Sequence, residues 1–240
     1  MLWKDGKKKA VTLSYDDAVI HDRRFIKLLR KYGLKCTFNL PSSWIGDTTA
    51  YVNDEDEPKE EFGHIVISES EFKELYDDFE VASHAAHHPN LVGLPLEEVQ
   101  SEILDDVKRL EELSGKKVRG FAYPYGAYDD ELVQRLKDLG IVYARTVNST
   151  SAFGIPEDFL RWRPTTYNEA PDFMDVARKF VECDEEGALF YLWGHTYEFY
   201  LNNSWDKIEE FMKLMASHKD EIWFATNMEI YEYIQANKQA

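Results

Sequence analysis

Three of the seven histidines, His84, His87 and His88, fall within five consecutive positions in the segment SHAAHHP. His84 and His88 have the spacing His-x-x-x-His, so a helical turn would aim both imidazoles at one ion. Pro89 then ends such a turn at once. His87 has the wrong spacing to join His84 and reads as a bystander. A carboxylate completes a three-ligand set that leaves a position open for water, and Asp17 of the segment LSYDDA supplies one. Its neighbour Asp16 reaches the same place only where the strand breaks, because adjacent strand side chains face opposite ways. The alternative is a strand terminus with an N-cap for the next helix. If both converge, one carboxylate holds a divalent metal and the other accepts a proton from water, the division of labour a hydrolase needs. His195, in LFYLWGHTYEF, is either a rim or core residue or the acid that protonates a leaving group. Glu198 is spaced to raise its pKa.

The elements that must position these residues alternate. Val11 to Tyr15, Cys36 to Leu40, Glu80 to Ser83, Val118 to Ala122, Ile141 to Thr146, Ala188 to Trp193 and Ile222 to Ala225 read as strands. Helical spacing covers Asp22 to Tyr32, Leu96 to Leu113, Asp129 to Leu139, Pro171 to Val181 and Trp205 to Met215. Ser68 with Glu71 predicts a capped helix through Tyr76, and a last helix closes the chain. About seven strands alternating with helices predict an α/β fold, a parallel sheet or barrel in one domain spanning residues 1–240. The polar clusters Asp16-Asp17, His84 to His88, Tyr123 to Tyr125 and His195 each follow a strand, where βα loops carry chemistry. The charge run NDEDEPKEE, Asn53 to Glu61, reads as a solvated loop.

Charge and composition exclude other classes. The 240 residues carry 28 Lys and Arg against 45 Asp and Glu, a net charge of −17. Such a surface repels polyanions, so nucleic acid and anionic membranes are poor partners. At 44% hydrophobic and 14% aromatic, the chain has material for one large core and is not disordered. No apolar run approaches the ~20 residues of a membrane span. The basic N-terminus lacks an apolar signal stretch, so the expected compartment is the cytoplasm, or the exterior if an export signal has been removed. Cys36 and Cys183 read as two free thiols.

In order, LSYDDA, SHAAHHP, FAYPYG and LWGHTYEF resemble the motifs of the polysaccharide deacetylases, the carbohydrate esterases of family four that share the nodulation-deacetylase homology domain. The resemblance runs from about Val11 to Phe199. It implies a distorted (β/α) barrel with about seven parallel strands and removal of acetyl groups, as amide or ester, from an acetylated saccharide. It implies Asp16 as catalytic base and Asp17, His84 and His88 as ligands of one divalent metal, zinc foremost, with cobalt or nickel as alternatives. Tyr125 corresponds to the residue whose backbone N–H helps hold the oxyanion, His195 to the general acid, and Leu192 and Trp193 to walls of the acetyl pocket. The chain departs from the pattern at Ala122, where many members have an arginine that orients the base, and an Asp-Trp segment is not evident. Arg145 or Arg163 is the expected substitute. Trp44, Trp162 and Tyr167 are candidates for stacking on sugar faces, with core packing as the alternative. Two rivals stand beside this expectation. One is a non-haem iron oxygenase, whose facial triad is also two histidines and a carboxylate. The other is a non-catalytic carbohydrate-binding domain on the same fold.

Overall fold

A computed structural model describes residues 2–46 and 66–238. The charge run from Asn53 to Glu61 lies outside the described residues. Eight strands form one parallel sheet: β1 (Lys9–Asp16), β2 (Thr37–Leu40), β3 (Glu80–Ser83), β4 (Gly120–Ala122), β5 (Tyr143–Arg145), β6 (Thr166–Tyr167), β7 (Ala188–His195) and β8 (Ile222–Ala225). Seven of them run β5-β4-β3-β2-β1-β7-β6 and curl into a half-barrel, while β8 pairs the first half of β1. All seven expected strands are present. The eighth, β6, has two residues, too few to show a period.

Helices α1 (Asp22–Tyr32), α2 (Glu69–Tyr76), α3 (Leu96–Ser114), α4 (Asp130–Asp138), α5 (Phe173–Glu182), α6 (Thr196–Leu201), α7 (Trp205–Ser217) and α8 (Asn227–Lys238) connect the strands. Their limits are set by local chemistry. Ser68 and Glu71 form the expected capping box on α2, and Asp129 caps α4 by accepting the Leu132 N–H at 2.8 Å. Gly33 and Gly115 end α1 and α3 in left-handed conformations. Helix α6, which sequence periodicity does not reveal, begins directly after His195 and lasts six residues.

Strand alternation divides the labour between the two faces of β1. Val11, Leu13 and Tyr15 enter a core with Phe25 of α1, Tyr76 of α2, Phe180 of α5 and Phe211 of α7. Each such side chain contributes roughly 1.5–3 kcal/mol by burial, so this face carries the stability. Thr12, Ser14 and Asp16 face the other way and are tied by polar contacts: Thr12 donates to Asn227 Oδ1 at 2.8 Å, and Ser14 accepts from Asn39 Nδ2 at 2.7 Å. At about 1 kcal/mol net each, these bonds matter more for position than for stability.

Asp22, wholly buried at the start of α1, accepts hydrogen bonds from Tyr76 and Thr196, each at 2.6 Å, and so joins α1, α2 and α6. Burial raises its pKa from the ordinary 3.8 to about 7, despite the two hydroxyl bonds that oppose the rise. A raised folded-state pKa means that the protonated form is favoured in the folded chain. The associated stability is therefore full below the unfolded value and is lost as pH climbs through about 7, by up to roughly 4 kcal/mol. Asp22→Asn should flatten the decline of the urea midpoint between pH 5 and 8. Equal declines in the variant and the parent chain would show that Asp22 does not titrate in this window.

Candidate active site

The site begins where β1 breaks. Asp16 is its last residue, and register sets it directly between Asn39 of β2 and His195 of β7. Asp17 (φ 85°) and Ala18 (φ 54°) then adopt left-handed conformations. Alternation ends there, which lets Asp17 line the same pocket as Asp16. Among the described residues, eight non-glycines have positive φ, and five of them, Asp17, Ala18, Ala85, His88 and Tyr125, sit in the three segments around this pocket. Each costs roughly 1–3 kcal/mol and persists only where surroundings over-determine it.

The histidine segment achieves its aim differently from the helical turn its spacing suggests. His88 N–H donates to the Ala85 carbonyl at 3.3 Å, closing a tight turn with left-handed Ala85 and His88 at its ends. The physical reason is competition: the Ala86 N–H goes to the Glu102 carbonyl at 3.0 Å and the His87 N–H to the Glu102 carboxylate at 2.9 Å. His87 turns outward onto that same carboxylate, its Nδ1 at 2.8 Å, and takes no part in the pocket. His84 Nδ1 faces the Ala122 carbonyl at 2.8 Å and must carry the proton there, which leaves the Nε2 lone pair for the pocket.

Ligand atoms of Asp17, His84 and His88 lie within 4.8 Å of one another. His84 Nε2 is 3.1 Å from His88 Nε2 and 3.9 Å from Asp17 Oδ1. Two nitrogens each ~2.0–2.1 Å from one tetrahedral zinc stand about 3.3 Å apart, so the spacing fits a shared cation. Burial, with a smaller contribution from His84, lowers the His88 pKa to about 4, which keeps its imidazole neutral and able to ligate.

Asp16 is gripped on both oxygens. Asn39 Nδ2 donates to Oδ1 at 2.7 Å, and Arg145 Nη2 donates to Oδ2 in a fully buried ion pair. Arg145 on β5 is the register partner of Ala122 on β4, and its guanidinium lies 4.6 Å from the Trp193 ring centre. Arg145 thus reaches Asp16 from the strand beside Ala122 and at the same level. Arg163 is not brought to the site: it is exposed and bonds the Asn148 carbonyl at 3.3 Å. It lies beyond Trp162, outside the strands that converge here.

His195 points Nε2 at Asp16 and Asp17, 3.8 Å from each. Its Nδ1 meets Glu198 at 3.1 Å, and its own N–H bonds the same carboxylate at 3.1 Å. Burial alone would lower the His195 pKa, but the Glu198 bond and the charges of Asp16 and Asp17 outweigh it and raise it to about 9. Glu198 also receives the Tyr167 hydroxyl and the Asn168 amide. A Cβ at Gly194 would lie 1.1 Å from Asn168 Oδ1, so only glycine admits this amide beside the strand.

The pocket, about 590 Å³, is lined by Asp16, Asp17, His84, His88 and His195 together with Trp44, Tyr123, Tyr125, Val147, Trp193 and Tyr197. Tyr125 projects into solvent, its ring 4.7 Å from His88. Leu192 does not join Trp193 here. It alternates to the opposite face of β7 and packs in the outer core, as the two-residue strand period requires. Trp162 likewise packs in a core cluster with Tyr143 and Tyr191 rather than offering a sugar face, and Tyr167 packs against Trp193 with ring centres 4.8 Å apart and planes tilted by 37°. Sequence reasoning missed Asn39, Glu102, Asp106 and Asn168. Two of these left a signal: Asn39 interrupts the apolar strand CTFNL, and Asp106 occupies the apolar stripe Val99, Ile103, Asp106, Leu110 of α3.

The protein is thus a parallel α/β half-barrel that gathers two carboxylates and three histidines at its strand ends, with one possible three-residue metal site among them. The family model of the polysaccharide deacetylases matches residues 4–144, more than half of the sequence. The chain belongs to the polysaccharide deacetylase family. Asp16, Asp17, His84, His88 and Tyr125 lie within the matched stretch, while Arg145, Trp193, His195 and Glu198 lie beyond it. The chain is 26% identical over 191 residues to the poly-β-1,6-N-acetyl-D-glucosamine N-deacetylase of Staphylococcus epidermidis, covering 75% of this chain and 61% of that protein. It is also 26% identical over 144 residues to YxkH of Bacillus subtilis, covering 58% of this chain and 46% of that one. It therefore spans less than two-thirds of either relative. Among solved structures, a Mycobacterium smegmatis protein assigned to the polysaccharide deacetylases superposes with a TM-score of 0.71 at 18% identity, over 99% of this chain and 94% of that one. A family-four pseudoenzyme from Bacillus anthracis superposes with a TM-score of 0.61 at 18% identity, over 95% and 66%. At these identities the superpositions show the fold alone. Among the described residues no helix is long and apolar enough to cross a membrane.

Proposed function

We propose that this chain is a metal-dependent hydrolase that removes acetyl groups, as amide or ester, from an acetylated saccharide. The observation that carries the reading is the convergence of Asp16, Asp17, His84, His88 and His195, from the ends of three strands, on one pocket. Asp17, His84 and His88 would hold a divalent cation, zinc by its liking for two imidazoles and a carboxylate, which would supply Lewis acidity towards the acetyl carbonyl and lower the pKa of water. Asp16, oriented by Asn39 and Arg145, takes the proton of that water. The Tyr125 backbone N–H stabilises the developing oxyanion, a contribution of roughly 3–4 kcal/mol per donor in other hydrolases. His195, held through Nδ1 by Glu198, delivers a proton from Nε2 to the departing amine or alkoxide, and acetate leaves. Trp193 walls the acetyl group. Loss of activity on iron chelation, with zinc ineffective, would favour the non-haem iron oxygenase instead.

Acetate release over N-acetylated and O-acetylated saccharides, with zinc, cobalt and nickel, tests this reading. A β-1,6-linked N-acetylglucosamine polymer comes first, since one relative is named for it. His84→Ala and His88→Ala should each lose the bound metal by elemental analysis and titration. Undiminished stoichiometry in both variants would remove the metal assignment. Saccharide binding without acetate release from a metal-replete sample would support the non-catalytic alternative.

A further inference from the structure

The strained turn from His84 to His88 needs an outside support, and α3 provides one. Asp106, wholly buried, accepts the His84 N–H at 3.0 Å and the Ser83 hydroxyl at 2.5 Å on one oxygen, and the Ser42 N–H at 2.7 Å on the other. One helical turn earlier, Glu102 takes the Ala86 and His87 N–H groups through its carbonyl and carboxylate. The turn after β2, which carries Trp44 to the pocket rim, is bound to the same segment: the Ser43 N–H donates to the Ala86 carbonyl at 3.0 Å. A carboxylate buried among neutral donors alone is costly to stability, because desolvation is not offset by a cation. Its place on an otherwise apolar stripe therefore calls for a reason other than stability.

We propose that Asp106, assisted by Glu102, is a positioning residue that preorganises His84 and His88 for the metal by fixing the backbone between them. The inference rests on the metal reading given above and assigns to α3 a role that no pocket residue fulfils. Asp106→Asn presents an NH₂ group to at least one of the backbone donors, so an N–H that was paired is left facing another donor. Support of this kind behind a ligand typically alters metal affinity by about 10–100-fold.

Zinc affinity is measured on the full chain by competition with a chromophoric chelator, and Co(II) spectra report the ligand geometry. Asp106→Asn should weaken zinc binding by about tenfold or more and alter the Co(II) bands, with Ser83→Ala intermediate because it removes one of three donors. Val99→Ala, on the same helix but within the apolar cluster around Ile103 and Leu136, is the control for loss of stability alone and should leave zinc affinity unchanged. Asp106→Asn binding zinc as tightly as the parent chain, or weakening it no more than Val99→Ala does, overturns the proposal while leaving the metal site standing. A parent chain that binds no zinc, cobalt or nickel overturns both.

Discussion

Asp16→Asn is expected to keep the metal while slowing acetate release by ~10²–10⁴-fold, the share a positioned base contributes. The separation rests on geometry: Asp16 Oδ2 is 3.7 Å from His84 Nε2, yet its oxygens are engaged by Asn39 and Arg145. A carboxamide at 16 cannot accept the water's proton. It also leaves Arg145, 1% exposed, without its counter-charge, which costs roughly 3–5 kcal/mol when one partner of a buried pair is removed. The variant should therefore melt earlier as well as turn over slowly. Metal analysis, acetate release below the new melting point and calorimetry separate these effects. A rate within about tenfold of the parent chain, with metal bound, would show that Asp16 is structural.

His195→Ala has the second large expected effect, and its size should depend on the leaving group. Glu198 pins Nδ1, so Nε2 is the ring nitrogen turned towards the carboxylates, 3.8 Å from Asp16 Oδ2. An amine or sugar alkoxide must be protonated as it departs, whereas a phenolate leaves unaided. N-acetyl saccharides should thus lose much of the ~10²–10⁴-fold that acid catalysis supplies, and activated aryl acetates far less. Metal content should not change, because His195 is outside the three-ligand set. Equal slowing of both substrates would make His195 a residue that positions substrate rather than an acid.

Much of this was legible in the sequence because short-range chemistry set it. The alternation of apolar strands with amphipathic helices determined a parallel α/β fold, and the capping box at Ser68 and glycine stop at Gly33 placed helix ends within a residue or two. The placement of Asp16-Asp17, His84 to His88 and His195 after separate strands marked the candidate site, since βα loops of a parallel sheet gather at one end. What the sequence left open depended on register and on the path of the backbone. Arg145 and Arg163 were equivalent as letters. Only the pairing of Arg145 with Ala122 across β4 and β5 brought one guanidinium to Asp16 and left the other on the surface. Leu192 and Trp193 were adjacent, and the strand period separated them into core and pocket. The spacing of His84 and His88 suggested a helical turn, but Glu102 and Asp106, more than a dozen residues away, claimed the backbone donors and imposed a tighter one. Contacts between distant segments decide such points, and no local propensity encodes them.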